Sequence, residues 1–256
     1  MKIIKGLIIA FSLYSRIPMP RFEWKEEDMR YNLCFLPFVG ALIGVLIYGS
    51  LYFIDSAGLP ILLKICAVSV IPLIITGGFH VDGFMDVADA HNSYRSKEEK
   101  LKILKDPHIG AFAVISLLIY SLIWAGALTI IFDKGSNGIL IPLAFIFVIS
   151  RIGTAASSVL LKKAKDDGML KNETNMTGNF QLAILGIEFA ACVLAVGFAD
   201  IYAALLMTAG LIIFYIYYRY KTYKEFGGVT GDTAGYFVCM CELTQAVILA
   251  VYCLIR

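Results

Sequence analysis

The feature that most constrains this chain is a succession of seven apolar runs, at Leu33–Ile54, Leu59–Phe79, Ala111–Phe132, Ile139–Leu161, Gln181–Phe198, Ile201–Tyr218 and Gly235–Ile255. Each is close to the roughly 20 residues that an α-helix needs to cross a hydrocarbon core. The expected fold is therefore all-α, a polytopic integral membrane helical bundle of about seven transmembrane helices. Composition agrees: 59% of the 256 residues are hydrophobic and 16% charged, against about a quarter charged in soluble domains. The runs use up nearly the whole chain, so residues 1–256 are read as a single membrane-embedded domain.

The N-terminal apolar stretch, Ile3–Ile17, is too short for a span. It is interrupted by Lys5, closed by Arg16 and broken by Pro18 and Pro20, neither of which continues a helix. It reads as an interfacial or re-entrant helix. Although it imitates a signal peptide, no small-x-small cleavage site follows, and it is read as retained. Arg21–Tyr31 reads as charged and exposed. Gly40 and Gly44 form one GxxxG, a close-packing pattern that also arises by chance. The six cysteines lie in apolar runs without a CxxC pair, as reduced packing residues do.

Basic residues fix the orientation. Eighteen of the 22 Lys and Arg fall in the N-terminal segment and in three long connections, the last three carrying Arg95–Lys105, Lys162–Lys171 and Arg219–Lys224. By the positive-inside rule these segments are cytoplasmic. The net charge of +2 gives no reason to expect nucleic acid; lipid and small molecules are the expected partners. A homo-oligomer is compatible with the sequence but not required by it.

The chemistry concentrates on the cytoplasmic side. Directly after the second run comes Gly77-Gly78-Phe79-His80-Val81-Asp82-Gly83-Phe84-Met85-Asp86-Val87-Ala88-Asp89. If this is helical, Asp82, Asp86 and Asp89 stand at i, i+4 and i+7 on one face. Three like charges there repel one another. A divalent cation removes the repulsion, and carboxylates are the hard oxygen ligands that Mg²⁺ or Mn²⁺ selects. An acidic first turn suited to the helix dipole explains Asp82 and Asp86 but not a third aligned Asp. His80 falls off the Asp face and serves equally well as a base or as a packed neighbour. Ser96 and Glu99 have the spacing of a capping box, starting a short amphipathic helix, Lys97–Lys105, whose Leu101, Ile103 and Leu104 would lie on the membrane surface. Lys105-Asp106-Pro107-His108-Ile109-Gly110 then returns to the bilayer.

The last connection, Gly227-Gly228-Val229-Thr230-Gly231-Asp232-Thr233-Ala234-Gly235, carries four glycines in nine residues. Such a turn lets backbone N–H groups approach phosphate oxygens, and Asp232 precedes a helix start. Ionisable groups inside spans are costly and mark function. Arg151 lies mid-run, where a guanidinium can clamp a diphosphate bidentately. Glu242 follows Asp232 by ten residues. Glu188 reads as a helix–helix polar contact, and Lys64 as a snorkelling residue. Several carboxylates, a deep arginine and glycine-rich turns together fit metal-assisted phosphoryl-type transfer.

Gly77–Asp89 closely resembles the GGLHLDGLADTADG signature of the cobalamin synthase family, the adenosylcobinamide-GDP ribazoletransferases. Leu104-Lys105-Asp106 through Ile109-Gly110-Ala111-Phe112 is similar to its MKDSRIGAFG, and Ser15-Arg16-Ile17-Pro18-Met19-Pro20 to its TRIPVP. Ser150-Arg151 resembles a mid-span arginine of the family, and Gly227–Gly235 with Glu242-Leu243 resembles GGxTGDxxG…EL. Ala90 departs from the usual Gly. The resemblance implies that α-ribazole, or its 5′-phosphate, attacks adenosylcobinamide-GDP, releasing GMP and forming adenosylcobalamin or its 5′-phosphate. It implies Mg²⁺ held by Asp82, Asp86 and Asp89, with Asp232 as a further ligand or base, and His80 in the catalytic set. Arg16, Lys105, Asp106, Arg151, Gly228, Thr230, Gly231 and Glu242 would contact substrate. Location follows as the cell membrane, multi-pass, with the site facing the cytoplasm.

Two other readings compete. CDP-alcohol phosphotransferases also cluster aspartates on membrane helices, but Asp82-Gly83 lacks the Ala-Arg of their DGxxAR. An ion-coupled transporter would use Glu188, Glu242 and Arg151 as an intramembrane relay, yet most carboxylates sit outside the spans.

Overall fold

A computed structural model describes residues 2–164, 170, 174 and 177–256. Lys165 and Lys171, counted with the third cytoplasmic connection, lie outside these residues. Ten helices account for most of the described residues: α1 (Lys2–Tyr14), α2 (Asn32–Ser56), α3 (Ile61–Thr76), α4 (Phe79–Asn92), α5 (Lys97–Ile103), α6 (Ala111–Lys134), α7 (Leu140–Leu160), α8 (Asn179–Ala199), α9 (Ile201–Glu225) and α10 (Gly231–Ile255). Six helices are long and apolar enough to span a membrane, and a seventh span is counted if α3 and α4 are taken as one bent pair. This is the all-α multi-pass bundle that the hydropathy requires.

α7 and α10 form the centre. Some 72% of the α7 apolar window and 56% of the α10 window are buried, against 22% for α6 and 17% for α8, whose outward faces are left for lipid. α2 packs on α7, and the GxxxG pattern explains how. A Cβ on Gly40 would stand 2.2 Å from the Phe147 carbonyl oxygen, and one on Gly44 would stand 2.7 Å from that of Ala144. The pair therefore sets the α2–α7 crossing, a stronger role than chance recurrence.

The N-terminal helix is 13 residues long, about 20 Å at 1.5 Å per residue, and does not reach across ~30 Å of hydrocarbon. Ile9 and Ala10 are fully buried where α1 lies along α2. The following segment is less exposed than its charge suggests. Asp28 is 3% exposed and receives Lys5 Nζ at 3.0 and 3.1 Å.

The second run ends earlier than hydropathy indicates. α3 stops at Thr76, and Gly77 and Gly78 both take left-handed backbone angles (φ +69° and +80°), a conformation that glycine adopts without the Cβ penalty. The chain turns by 95° into α4, so the acidic segment is a separate helix leaving the spanning direction. At the opposite end of the bundle Asp200 caps α9, accepting from the N–H groups of Tyr202 and Ala203 at 3.0 and 3.1 Å.

α5 forms with its capping box in place: Glu99 N–H donates to Ser96 Oγ and Ser96 N–H to Glu99 Oε2. It ends at Ile103 and packs on protein rather than on a membrane surface. Leu104 is 7% exposed, and the buried Lys100 pairs with Glu225 at the end of α9. Lys64 pairs with Asp55 across the α2–α3 connection. Glu188 does not make the polar helix contact expected of it. Its Oε2 is buried without a hydrogen-bond partner, on an apolar groove between α2, α7 and α8. All six cysteines are free.

Candidate active site at the α4–α10 crossing

The three aspartates of α4 do share a helix, and the site is built where that helix crosses α10. The crossing is glycine on backbone. A Cβ on Gly83 would lie 2.8 Å from the Asp232 carbonyl oxygen and 3.0 Å from its Cα, and one on Gly235 would lie 3.0 Å from the His80 carbonyl oxygen. Asp82 and Asp86 flank Gly83 in sequence, so this approach holds them beside the first turn of α10, which carries Asp232. The first turn of a helix favours an acidic side chain through the unpaired N–H groups and the dipole.

Electrostatics confirm the grouping. Partial burial, followed by repulsion from Asp82, Asp232 and Asp89, pushes the Asp86 carboxyl up to about 7. Asp82 is exposed and Asp86 half-buried. Asp89 turns toward the start of α6, where its carboxylate takes the space that a Cβ on Gly110 would need. The donor set is hard oxygen and fits a divalent cation in charge and chemistry. Among the described residues, no three His, Cys, Asp or Glu side chains already converge at ligand distance.

The other expected site residues divide into two groups. Arg16, Lys105, Asp106 and Gly231 are exposed at the same end of the bundle. Arg16 is pinned there: its N–H donates to the Ile75 carbonyl at 2.7 Å, and its side chain lies across Gly77. Asp106 accepts from His108, and this contact holds its carboxyl below the usual range. The glycine-rich turn is partly committed to structure. Val229 N–H donates to Lys162 O at 2.9 Å and Thr230 N–H to Thr233 Oγ1 at 2.8 Å, while Thr230 Oγ1 caps α10 by accepting from Thr233 N–H. Gly228 packs on the Lys162 carbonyl. These backbone donors are therefore not presented to a phosphate.

The second group is internal. Arg151 is 1% exposed; its Nη1 donates to Glu242 Oε1 at 2.6 Å, Phe147 O at 2.9 Å and Ser150 Oγ at 3.2 Å. The pair bridges α7 and α10 across 91 residues of sequence, a partnership invisible to local spacing. Glu242 lies about three turns into α10, which starts at Gly231. His80 is also buried. Arg151, Glu242 and His80 line one cavity together with Tyr120 and Trp124. Those two aromatics were not singled out from sequence, although their i, i+4 spacing on one face was there to be read.

The fold and this site define a multi-pass membrane protein with a carboxylate-rich site at one end of a helical bundle, backed by a mostly apolar intramembrane cavity that holds a buried Arg–Glu pair. A profile of cobalamin-5-phosphate synthases matches residues 6–251. An adenosylcobinamide-GDP ribazoletransferase of Lachnoclostridium phytofermentans is 37% identical over 95% of this chain and 92% of its own. One of Clostridium perfringens is 34% identical over 96% and 98%, and one of Listeria monocytogenes 30% identical over 91% and 92%. No solved structure matches. The chain belongs to the cobalamin-5-phosphate synthase family. That assignment favours neither the CDP-alcohol phosphotransferase nor the transporter reading.

Proposed function

We propose that this protein joins α-ribazole, or its 5′-phosphate, to adenosylcobinamide-GDP, releasing GMP and forming adenosylcobalamin or its 5′-phosphate. The ribose hydroxyl oxygen forms a bond to the phosphorus carrying cobinamide, the bond from that phosphorus to the GMP oxygen breaks, and the hydroxyl proton passes to a carboxylate. The observation that carries this reading is the α4–α10 crossing, where Gly83 lies on the Asp232 backbone and three carboxylates crowd around Asp86. Asp82, Asp86, Asp89 and Asp232 would hold Mg²⁺, closing onto it from their present separation. When bound, Mg²⁺ neutralises charge on the diphosphate and on the leaving GMP. Asp86 or Asp232 would take the hydroxyl proton. Arg16 and Lys105, exposed at the same end, attract the diphosphate. The concentration of Lys and Arg on this side supports a cytoplasm-facing site in the cell membrane.

The test is GMP release by purified protein in lipid nanodiscs supplied with adenosylcobinamide-GDP and α-ribazole, with and without Mg²⁺. Metal-dependent release that is lost in Asp82→Asn is expected. Folded protein that releases no GMP under any metal condition would refute the assignment.

A further inference from the structure

Of the three aspartates of α4, Asp89 is placed unlike the other two. The Cγ, Oδ1 and Oδ2 atoms of its carboxylate occupy the space that a Cβ on Gly110 would need. Gly110 has φ −82° and ψ 160°, extended backbone open to any residue, so conformation does not call for a glycine there. The carboxylate does. Asp89 also stands where α6 begins. Gly110 is the residue before the first turn of α6, and that turn has neither a side-chain cap nor an acidic residue of its own. A helix start of this kind favours a carboxylate beside it.

Within the aspartate group Asp89 is the outlier. The repulsion felt by Asp86 comes first from Asp82, then from Asp232 on another helix, and least from Asp89, although Asp86 and Asp89 are neighbours at i, i+3 on α4. What Asp89 reaches instead is the end of a short connection. Residues 104–110 leave α5, which is anchored on α9 by the Lys100–Glu225 pair and by Lys97 Nζ donating to Tyr223 O. Lys105 N–H donates to Lys102 O at 3.0 Å and Asp106 N–H to Ile103 O at 2.9 Å. Asp106 then accepts from His108 N–H at 3.0 Å. The connection is thus fixed at its α5 end and turned in the middle, and at its far end Asp89 rests on Gly110.

We propose that Asp89 is a positioning residue: it seats the connection carrying Lys105 and Asp106 against the carboxylate helix, and leaves the metal to Asp82, Asp86 and Asp232. The inference rests on the reaction proposed above and narrows its metal set by one. Asp89 acts through its shape, filling the space over Gly110, and so holds Lys105 at the end of the bundle where the diphosphate binds.

The two roles rank substitutions in opposite order. A seat over Gly110 accepts the isosteric Asp89→Asn and rejects the longer Asp89→Glu, whereas a metal ligand loses its charge in the first and keeps it in the second. Mn²⁺ binding to purified protein in nonionic detergent, followed by electron paramagnetic resonance, should weaken by roughly tenfold or more in Asp82→Asn, since even a supporting group costs that much. Both Asp89 variants should keep binding Mn²⁺, while KM for adenosylcobinamide-GDP rises more in Asp89→Glu than in Asp89→Asn. Gly110→Ala should raise the same KM in the parent and add nothing in an Asp89→Ala background, where the space is vacant. Asp89→Asn that loses Mn²⁺ as fully as Asp82→Asn, or Gly110→Ala and Asp89→Ala effects that simply add, would overturn the assignment. In protein that releases no GMP, coupled thermal midpoints across the Gly110–Asp89 variants would uphold the seat and refute the reaction instead.

Discussion

Replacing Gly83 by Ala tests whether the α4–α10 approach is what assembles the site. The added Cβ would stand 2.8 Å from the Asp232 carbonyl oxygen, where ordinary contact begins at 3.4 Å, and the neighbouring Asp232 atoms at 3.0 and 3.3 Å are also backbone. No flexible side-chain end is available to give way, so the two helices must separate by about 0.6 Å, the difference between those distances. Overpacking of this kind costs about 1–3 kcal/mol. The same displacement moves Asp82 and Asp86 away from Asp232, and misplacements approaching 1 Å cost up to about 100-fold in rate. The expected result is GMP release slowed ~10- to 100-fold in protein that still purifies as a folded species, with thermal unfolding in detergent lowered by a few degrees. Gly126→Ala and Gly186→Ala are the controls, because a Cβ at either position meets nothing within 4 Å; both should match the parent. Gly83→Ala with parental turnover would refute the claim that this crossing positions the carboxylates.

Glu242→Gln strands the buried Arg151 charge and should destabilise the fold by about 3–5 kcal/mol, while a double Arg151→Leu/Glu242→Leu variant should recover most of that stability without recovering activity; a stable single variant would count against the pair. Asp86 is raised to about 7, and magnesium needs the ionised carboxylate, so apparent Mg²⁺ affinity should rise about tenfold per pH unit up to pH 7 and level off above it. In the absence of metal the sign reverses for stability: a carboxyl raised in the fold withdraws stability as pH climbs from about 4 to about 7, visible as a falling thermal midpoint that Asp86→Asn flattens. Lys5 and the backbone N–H of Lys25 hold Asp28 below its usual range, so the stability it contributes is present above about pH 4 and lost as pH falls through the lower folded value. Acid should therefore release α1 from the connection behind it, read as a change in Trp24 fluorescence that is absent in Asp28→Ala.

The spans and the acidic face of α4 were legible because both are periodicities, one of hydropathy and one of charge. The elbow between α3 and α4 was not. Hydropathy runs smoothly through Thr76, Gly77 and Gly78, and only the left-handed angles of the glycines reveal that the helix stops there. The Arg151–Glu242 pair was hidden by sequence distance, so a guanidinium read as a diphosphate clamp proved to be neutralised within the bundle. Conversely, Gly40 and Gly44 carried more information than a common pattern suggested, since their partners on α7 became identifiable only once the crossing was seen. Leu104 and Asp28 were misplaced for a single reason: a short amphipathic or charged segment does not declare whether its apolar or ionic partner is lipid, water or another part of the chain.

The Arg151–Glu242 bridge also sets a timing problem for the ribosome. At about 5–20 residues per second, the 91 residues between the partners take about 5–20 s to synthesise. During that interval α7 presents an unneutralised guanidinium, which costs about 2.5–3.5 kcal/mol at the centre of an inserting helix, and it must be tolerated on the strength of its apolar neighbours alone. Only when α10 arrives is the charge answered. The last helix to emerge is therefore the one that locks the middle of the bundle, and the same late event delivers Asp232 to its place beside α4.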